Sequence, residues 1–265
     1  MPVIRVSEFS GKPRRSSYQQ DWVLEPHYRI MGIPSFEDVE FTEGSNENLS
    51  WPNAVRFAAD QYAVLQSARE AAAFRIEANG LNGANHYQAT RTFVAYFNDG
   101  NSFYAAIDDA PSKENVVLAH ALEAFDSYLQ TRSHFLLPMK DLKGMLKCAE
   151  KSGRVVPVPD KSLLKLSTEQ VDGTSAFGHN VWNQAIFVDT AELYAGMLYR
   201  RGYHNGYVST FTPQTLEQIG VSNKRAEVRP LSLCDINFSV ECVHAYGHFS
   251  GHSRARGVRN ARFMQ

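Results

Sequence analysis

The sequence predicts an α+β fold: a single globular domain with a mostly antiparallel sheet, several helices, an extended N-terminal arm and a basic C-terminal tail. Three observations carry this expectation. Two β-prone runs flank a turn of Asn, Asp and Gly near residue 98, which requires antiparallel pairing. Helix-period and strand-period segments alternate loosely, unlike the strict βαβ order of a doubly wound parallel sheet. No Gly/Ser-rich or Pro-rich linker divides the middle of the 265 residues, a length that suits one large domain.

Taken in order, residues 1–50 read as an extended arm. Pro2, Pro13, Pro26 and Pro34, with Gly11, Gly32 and Gly44, stop any helical period early. Phe9, Tyr18, Trp22, Tyr28, Phe36 and Phe41 are too many aromatics for a freely disordered tail, so an ordered wrap is expected. The core, residues 51–242, opens with one long helix. Ser50 serves as its cap, Pro52 sits in the tolerant first turn, and Val55, Ala58, Ala59, Tyr62, Leu65 and Ala72 form its stripe up to Asn79-Gly80.

The hairpin follows, Thr92–Ala95 and Phe103–Ile107 around Asn98-Asp99-Gly100-Asn101. Pro111-Ser112 opens a helix with the stripe Leu118, Leu122, Phe125 and Leu129. A short helix over Leu142–Lys151 ends at Gly153, and Arg154–Val158 reads as a strand bounded by Pro157 and Pro159. Residues 160–179 are polar and read as a long loop, and a continuous helix spans Val181–Arg200. A strand at Tyr207–Thr210, a helix capped by Thr212-Pro213 and ending at Gly220, and strands at Glu227–Leu231 and Asp235–His244 complete the core. Residues 243–265 form the Gly/Arg-rich C-terminal arm.

Composition narrows the partners. The 27 Lys+Arg and 28 Asp+Glu nearly cancel, but residues 1–20 carry +3, residues 243–265 carry +4 and the middle carries −8. An acidic body with two basic ends attracts polyanions or acidic neighbouring subunits through those ends. No apolar run approaches the ~20 residues of a membrane span. Three cysteines and the lack of a signal-peptide core lead to the expectation of a cytoplasmic or otherwise intracellular protein.

The Arg-rich end supplies the leading functional expectation. Arg254, Arg256, Arg259 and Arg262 place four guanidiniums in nine residues, each a planar fork for a phosphate. Tyr246 and Phe249 add stacking platforms of the kind that single-strand binders use, and Lys12, Arg14 and Arg15 repeat the pattern at the other end. The expected function is therefore non-catalytic binding of single-stranded DNA or RNA. The alternative is an assembly subunit of an oligomer, with the arms reaching other protein subunits.

A third expectation is a metal-dependent enzyme using Asp108 and Asp109, or His244, His248 and His252. Paired carboxylates at a strand end hold Mg²⁺ in some phosphodiester chemistry, but the Glu-x-Lys that usually accompanies them is missing. The histidines recur every fourth residue across Gly247 and Gly251. On a strand that spacing sets them about 13 Å apart, too far to share a zinc ion. His204, as an acid or base, has its simplest role in a helix-to-strand turn. With no phosphate-cradling loop, nucleophile elbow or Cys-x-x-Cys, the sequence calls for no cofactor and no catalytic residue.

Overall fold

In the computed structural model of the chain, the described residues are 39–78, 86–109, 135–234, 241–246 and 253–260. The predicted arm residues 1–38, the helix expected after Pro111, and Lys12, Arg14, Arg15, Phe249, Arg262, His248 and His252 lie outside them.

The hairpin organises the rest. Strands β3 (Gln88–Asn98) and β4 (Phe103–Asp108) pair antiparallel with Asn98 opposite Phe103. The turn works because the Asp99 carboxylate accepts from the amides of Asn101 (2.8 Å) and Ser102 (2.9 Å), while Gly100 takes φ 109°. Those amides hold the Asp99 carboxyl below its ordinary range.

From this hairpin an eight-stranded sheet grows in the order β6-β4-β3-β11-β12-β10-β7, with β5 also pairing β11. Its further strands are β5 (Leu136–Pro138), β6 (Val155–Pro157), β7 (Leu163–Ser167), β10 (Asn205–Ser209), β11 (Arg225–Leu233) and β12 (Glu241–His244). All its described pairings are antiparallel except β10 with β12. The fold class is α+β, as the sequence predicts.

Helices cover both faces. Val94 and Tyr96 of β3 turn to one side, against α2 (Ala68–Glu77), α5 (Val181–Phe187) and α6 (Ala191–Arg200). Phe93, Ala95 and Phe97 turn to the other, against α1 (Trp51–Asp60) and α3 (Lys143–Lys151). This period-two split of one central strand explains why β3 reads as nearly continuous apolar sequence. A three-stranded sheet, β1 (Val39–Gly44), β13 (Arg256–Asn260) and β2 (Val64–Leu65), packs its Phe41 and Val258 on Phe74 of α2.

Three expectations about elements are corrected. The long helix from Pro52 is two helices with β2 between them. Tyr62 takes φ 55°, and Ser67 starts α2 with a capping box in which Ser67 Oγ accepts from Glu70 N while a Glu70 oxygen accepts from Ser67 N. The helix over 181–200 is also interrupted. Val188 takes φ 54°, a 3-10 turn covers Val188–Thr190, and Asp189 is drawn aside to a bidentate pair with Arg69.

Residues 160–179 are not a loop. They contain β7, the hairpin β8 (Gln170–Val171) and β9 (Thr174–Ser175), and α4 (Ala176–His179). Asp172-Gly173 turns that hairpin with φ 54° and 81°, the positive pair that two-residue hairpins require.

Candidate ligand-binding surface

Four strands finish or begin at one end of the large sheet, and they bring aromatic rings together. Tyr87 leads into β3, Ser232 and His244 face each other across β11 and β12, Phe211 follows β10, and Tyr246 follows β12. Tyr87 stacks at 5.8 Å on His244, His244 lies edge-on at 5.8 Å to Tyr246, and Tyr246 lies 5.4 Å from Phe211. All four residues are partly buried, neither fully enclosed nor fully exposed.

The arc is anchored from beneath. Tyr87 Oη and Ser232 Oγ share a hydrogen bond of 2.7 Å. Phe211 lies edge-on to fully buried Tyr96 at 5.2 Å, and Tyr96 Oη donates to Ala245 O at 2.9 Å, fixing the turn that carries Tyr246. Burial pushes the Tyr96 phenol upward, so it stays a neutral donor. Below Phe211 sits an ion pair on β11, Arg229 Nε to Glu227 Oε1 at 2.5 Å, with Glu227 fully buried. At the rear, the buried Arg75 guanidinium donates to Tyr194 Oη (2.7 Å), His86 O (2.9 Å) and Cys234 O (2.6 Å). Rings held this way present a rigid aromatic surface at low entropic cost to a ligand.

Three of the arginines expected to hold phosphates, Arg254, Arg256 and Arg259, are engaged within the fold. Arg254 Nη1 donates to Ser45 O at 3.1 Å, Arg256 Nη1 to Thr42 O at 2.6 Å, and Arg259 Nη2 to Gln61 O. The Arg256 guanidinium also lies 4.0 Å over the Phe74 ring, and burial pulls its pKa down to about 9. Arg256 and Arg259 are 4% and 9% exposed, so these forks satisfy backbone carbonyls of the small sheet and its neighbours. Of the named aromatic platforms, Tyr246 belongs to the arc described above.

No cluster of metal-ligating side chains occurs among the described residues, Asp108 and Asp109 included; of the histidine series only His244 lies within them. Asp109 is engaged by Arg154 at 2.8 and 3.2 Å and accepts from Thr92 Oγ1 at 2.5 Å. Burial, and then the neighbouring Asp109 charge, raise the Asp108 pKa. His244 stands in the aromatic arc. His204 lies edge-on to Tyr199 at 5.4 Å, in the turn between α6 and β10.

A concavity of about 360 Å³ lies between β7 and α4 and is lined by Ser167, Glu169, Thr174, Ser175 and His179 among others. Its Glu192 neighbour accepts from Ser175 Oγ at 3.0 Å and contacts His179 Nδ1 at 3.1 Å. The carboxylate therefore stands between hydroxyl and imidazole, whereas an activated serine needs the imidazole in the middle. Ser175 Oγ also caps Gly178 N at 2.8 Å, a structural use.

No family model and no curated protein matches the chain. One solved structure, described in the words "accommodation of massive sequence variation in Nanoarchaeota by the C-type lectin fold", superposes with a TM-score of 0.57 at 9% identity. The match covers 82% of this chain and 97% of that one. The fold is C-type-lectin-like. This likeness overturns the expectation of single-stranded DNA or RNA binding, because the neighbour is not a nucleic-acid-binding fold. The buried arginines give the correction its physical reason.

The sequence named Tyr246 as a stacking platform for nucleic acid and His244 as a metal ligand, and nothing in it brings either ring to Tyr87 or Phe211. They come from different strands and share no spacing. Only the convergence of strand ends brings them together.

Proposed function

We propose that the protein is a non-catalytic recognition module, a C-type-lectin-like scaffold that binds a macromolecular ligand on the arc of Tyr87, His244, Tyr246 and Phe211. The observation that carries this reading is the continuous contact of four partly exposed rings at strand ends of the large sheet. Amphipathic tyrosines with few rotatable bonds and a flanking serine are the side chains from which binding surfaces gain area at small entropic cost. The similar structure adds support, since its fold is described as one that accommodates massive sequence variation. A frame that tolerates such variation keeps its stability in buried elements and its specificity in surface side chains.

The test uses the immobilised full chain against a glycan array and a displayed random-peptide library. The expected result is enrichment of a ligand set that the double variant Tyr87→Ala/Tyr246→Ala loses and Tyr199→Ala, remote from the arc, retains. Ligands held equally by all three proteins, or no enrichment in either library, would overturn the reading.

A further inference from the structure

Glu77 is the last residue of α2 and only 4% exposed, and its Oε2 makes no hydrogen bond. A helix C-terminus is the wrong end for a carboxylate, because the final carbonyls already carry partial negative charge. Among the described residues, the charged groups on the elements packed against α2 are engaged elsewhere or exposed. On α2, Arg69 pairs with Asp189, Glu70 with Arg91, and Arg75 donates to Tyr194, His86 and Cys234. On the small sheet, Arg256 and Arg259 donate to Thr42 and Gln61, and Glu43 acts on Arg256. On the helices and strands against the other side of α2, Glu192 contacts Ser175 and His179, Arg200 and Arg225 are exposed, and Glu227 pairs with Arg229. Helix α5 carries no charged residue.

This turn of α2 is wired to the aromatic surface. Arg75, two positions before Glu77, donates to the carbonyls of His86 and Cys234. His86 precedes Tyr87, and Cys234 follows the end of β11 beside Ser232. We propose that Glu77 is a proton-linked switch for the order of the aromatic surface. When protonated it lets the last turn of α2 stay packed. When ionised it pulls that turn toward water, and Arg75 loosens its hold on His86 and Cys234. The consequence for a ligand rests on the binding reading above, but the switch itself does not.

Burial alone pushes the Glu77 carboxyl from its ordinary 4.5 up to about 7. The folded state therefore holds the proton more tightly than the unfolded chain. The associated stability is complete below about 4.5 and is lost as pH rises through about 7.

The experiment compares amide exchange of residues 86–89 and 232–234 at pH 6 and pH 8.5, corrected for intrinsic rates, in the wild-type chain and Glu77→Gln. Urea unfolding of both is followed across the same range. The expected result is a loss of protection of about tenfold or more at the higher pH in the wild-type chain, and none in the variant. Glu77→Met, apolar and of similar length, should be as flat as Glu77→Gln. Equal pH profiles in wild-type and both variants would overturn the proposal. No ligand enters these readouts, so they stand or fall separately from the binding test.

Discussion

Arg256 shows how one side chain changes meaning between sequence and structure. In sequence it is one of four closely spaced arginines, free to meet a phosphate. In the fold it is 4% exposed, stacked on Phe74 and bonded to Thr42 O. Its long apolar stem and planar donor fork suit a site where a sheet edge needs both packing and a carbonyl partner. Gly257 beside it is fixed by proximity: a Cβ there would lie 2.7 Å from Ala63 Cβ, and its amide already donates to Thr42 Oγ1 at 2.9 Å. Gly257→Val should therefore cost about 1–3 kcal/mol through overpacking, read as a lower urea midpoint with unchanged slope. A midpoint equal to wild type would show that the small sheet has room to move.

At the scale of elements, several turns and helix ends were legible from local chemistry, although Ser50, expected to cap α1, makes no side-chain hydrogen bond there. Asn98-Asp99-Gly100 fixed the β3–β4 hairpin, Thr212-Pro213 marked a short helix that α7 (Pro213–Gln218) realises, and Gly153 ended α3 with φ 67°. The failures have a common cause. Ala-rich stretches keep a helical period whether or not the backbone continues, so the spacing from Val55 to Ala72 concealed the break that Tyr62, β2 and Ser67 make. The Ser67–Glu70 spacing is the local signal of that second start, and the uninterrupted period hides it. Similarly, Asp172-Gly173 signalled a hairpin inside a segment read as loop. Because the Ser67 hydroxyl accepts from Glu70 N at 3.2 Å, Ser67→Ala should lower stability by about 1 kcal/mol. Equilibrium unfolding checks this; a change below about 0.3 kcal/mol would place the start of α2 under the control of tertiary packing alone.

For the whole molecule, the chain segment near the C-terminus holds the body together. Strand β13 lies between β1 and β2, and the residues before it bond to distant chain: Ala255 O accepts from Ser45 N at 2.8 Å, and Arg254 O from Ala89 N at 3.0 Å. A deletion of residues 253–265 removes the centre of the small sheet and uncovers Phe41 and Phe74. The expected outcome is a strongly lowered melting temperature or loss of the cooperative transition in circular dichroism. A deleted chain that melts like wild type would contradict this placement of β13. The uneven charge of +3, −8 and +4 along the chain is real, but part of the positive end faces inward, so it gives no outward basic arm over residues 254–259.

By itself the sequence determined the α+β class, the β3–β4 antiparallel hairpin and the ends of α3 and α7, because turn residues and caps act over a few neighbouring positions. It also determined that the ends differ in charge from the middle. Tertiary structure alone decided where that charge points and which rings meet. Tyr87, Phe211, His244 and Tyr246 are separated by up to 159 positions yet share one surface, since pairing of distant strands aligns their ends. The burial of Arg256 and of Glu77 has the same origin. Each is a polar residue whose environment is set by elements remote in the chain, and no local pattern records it.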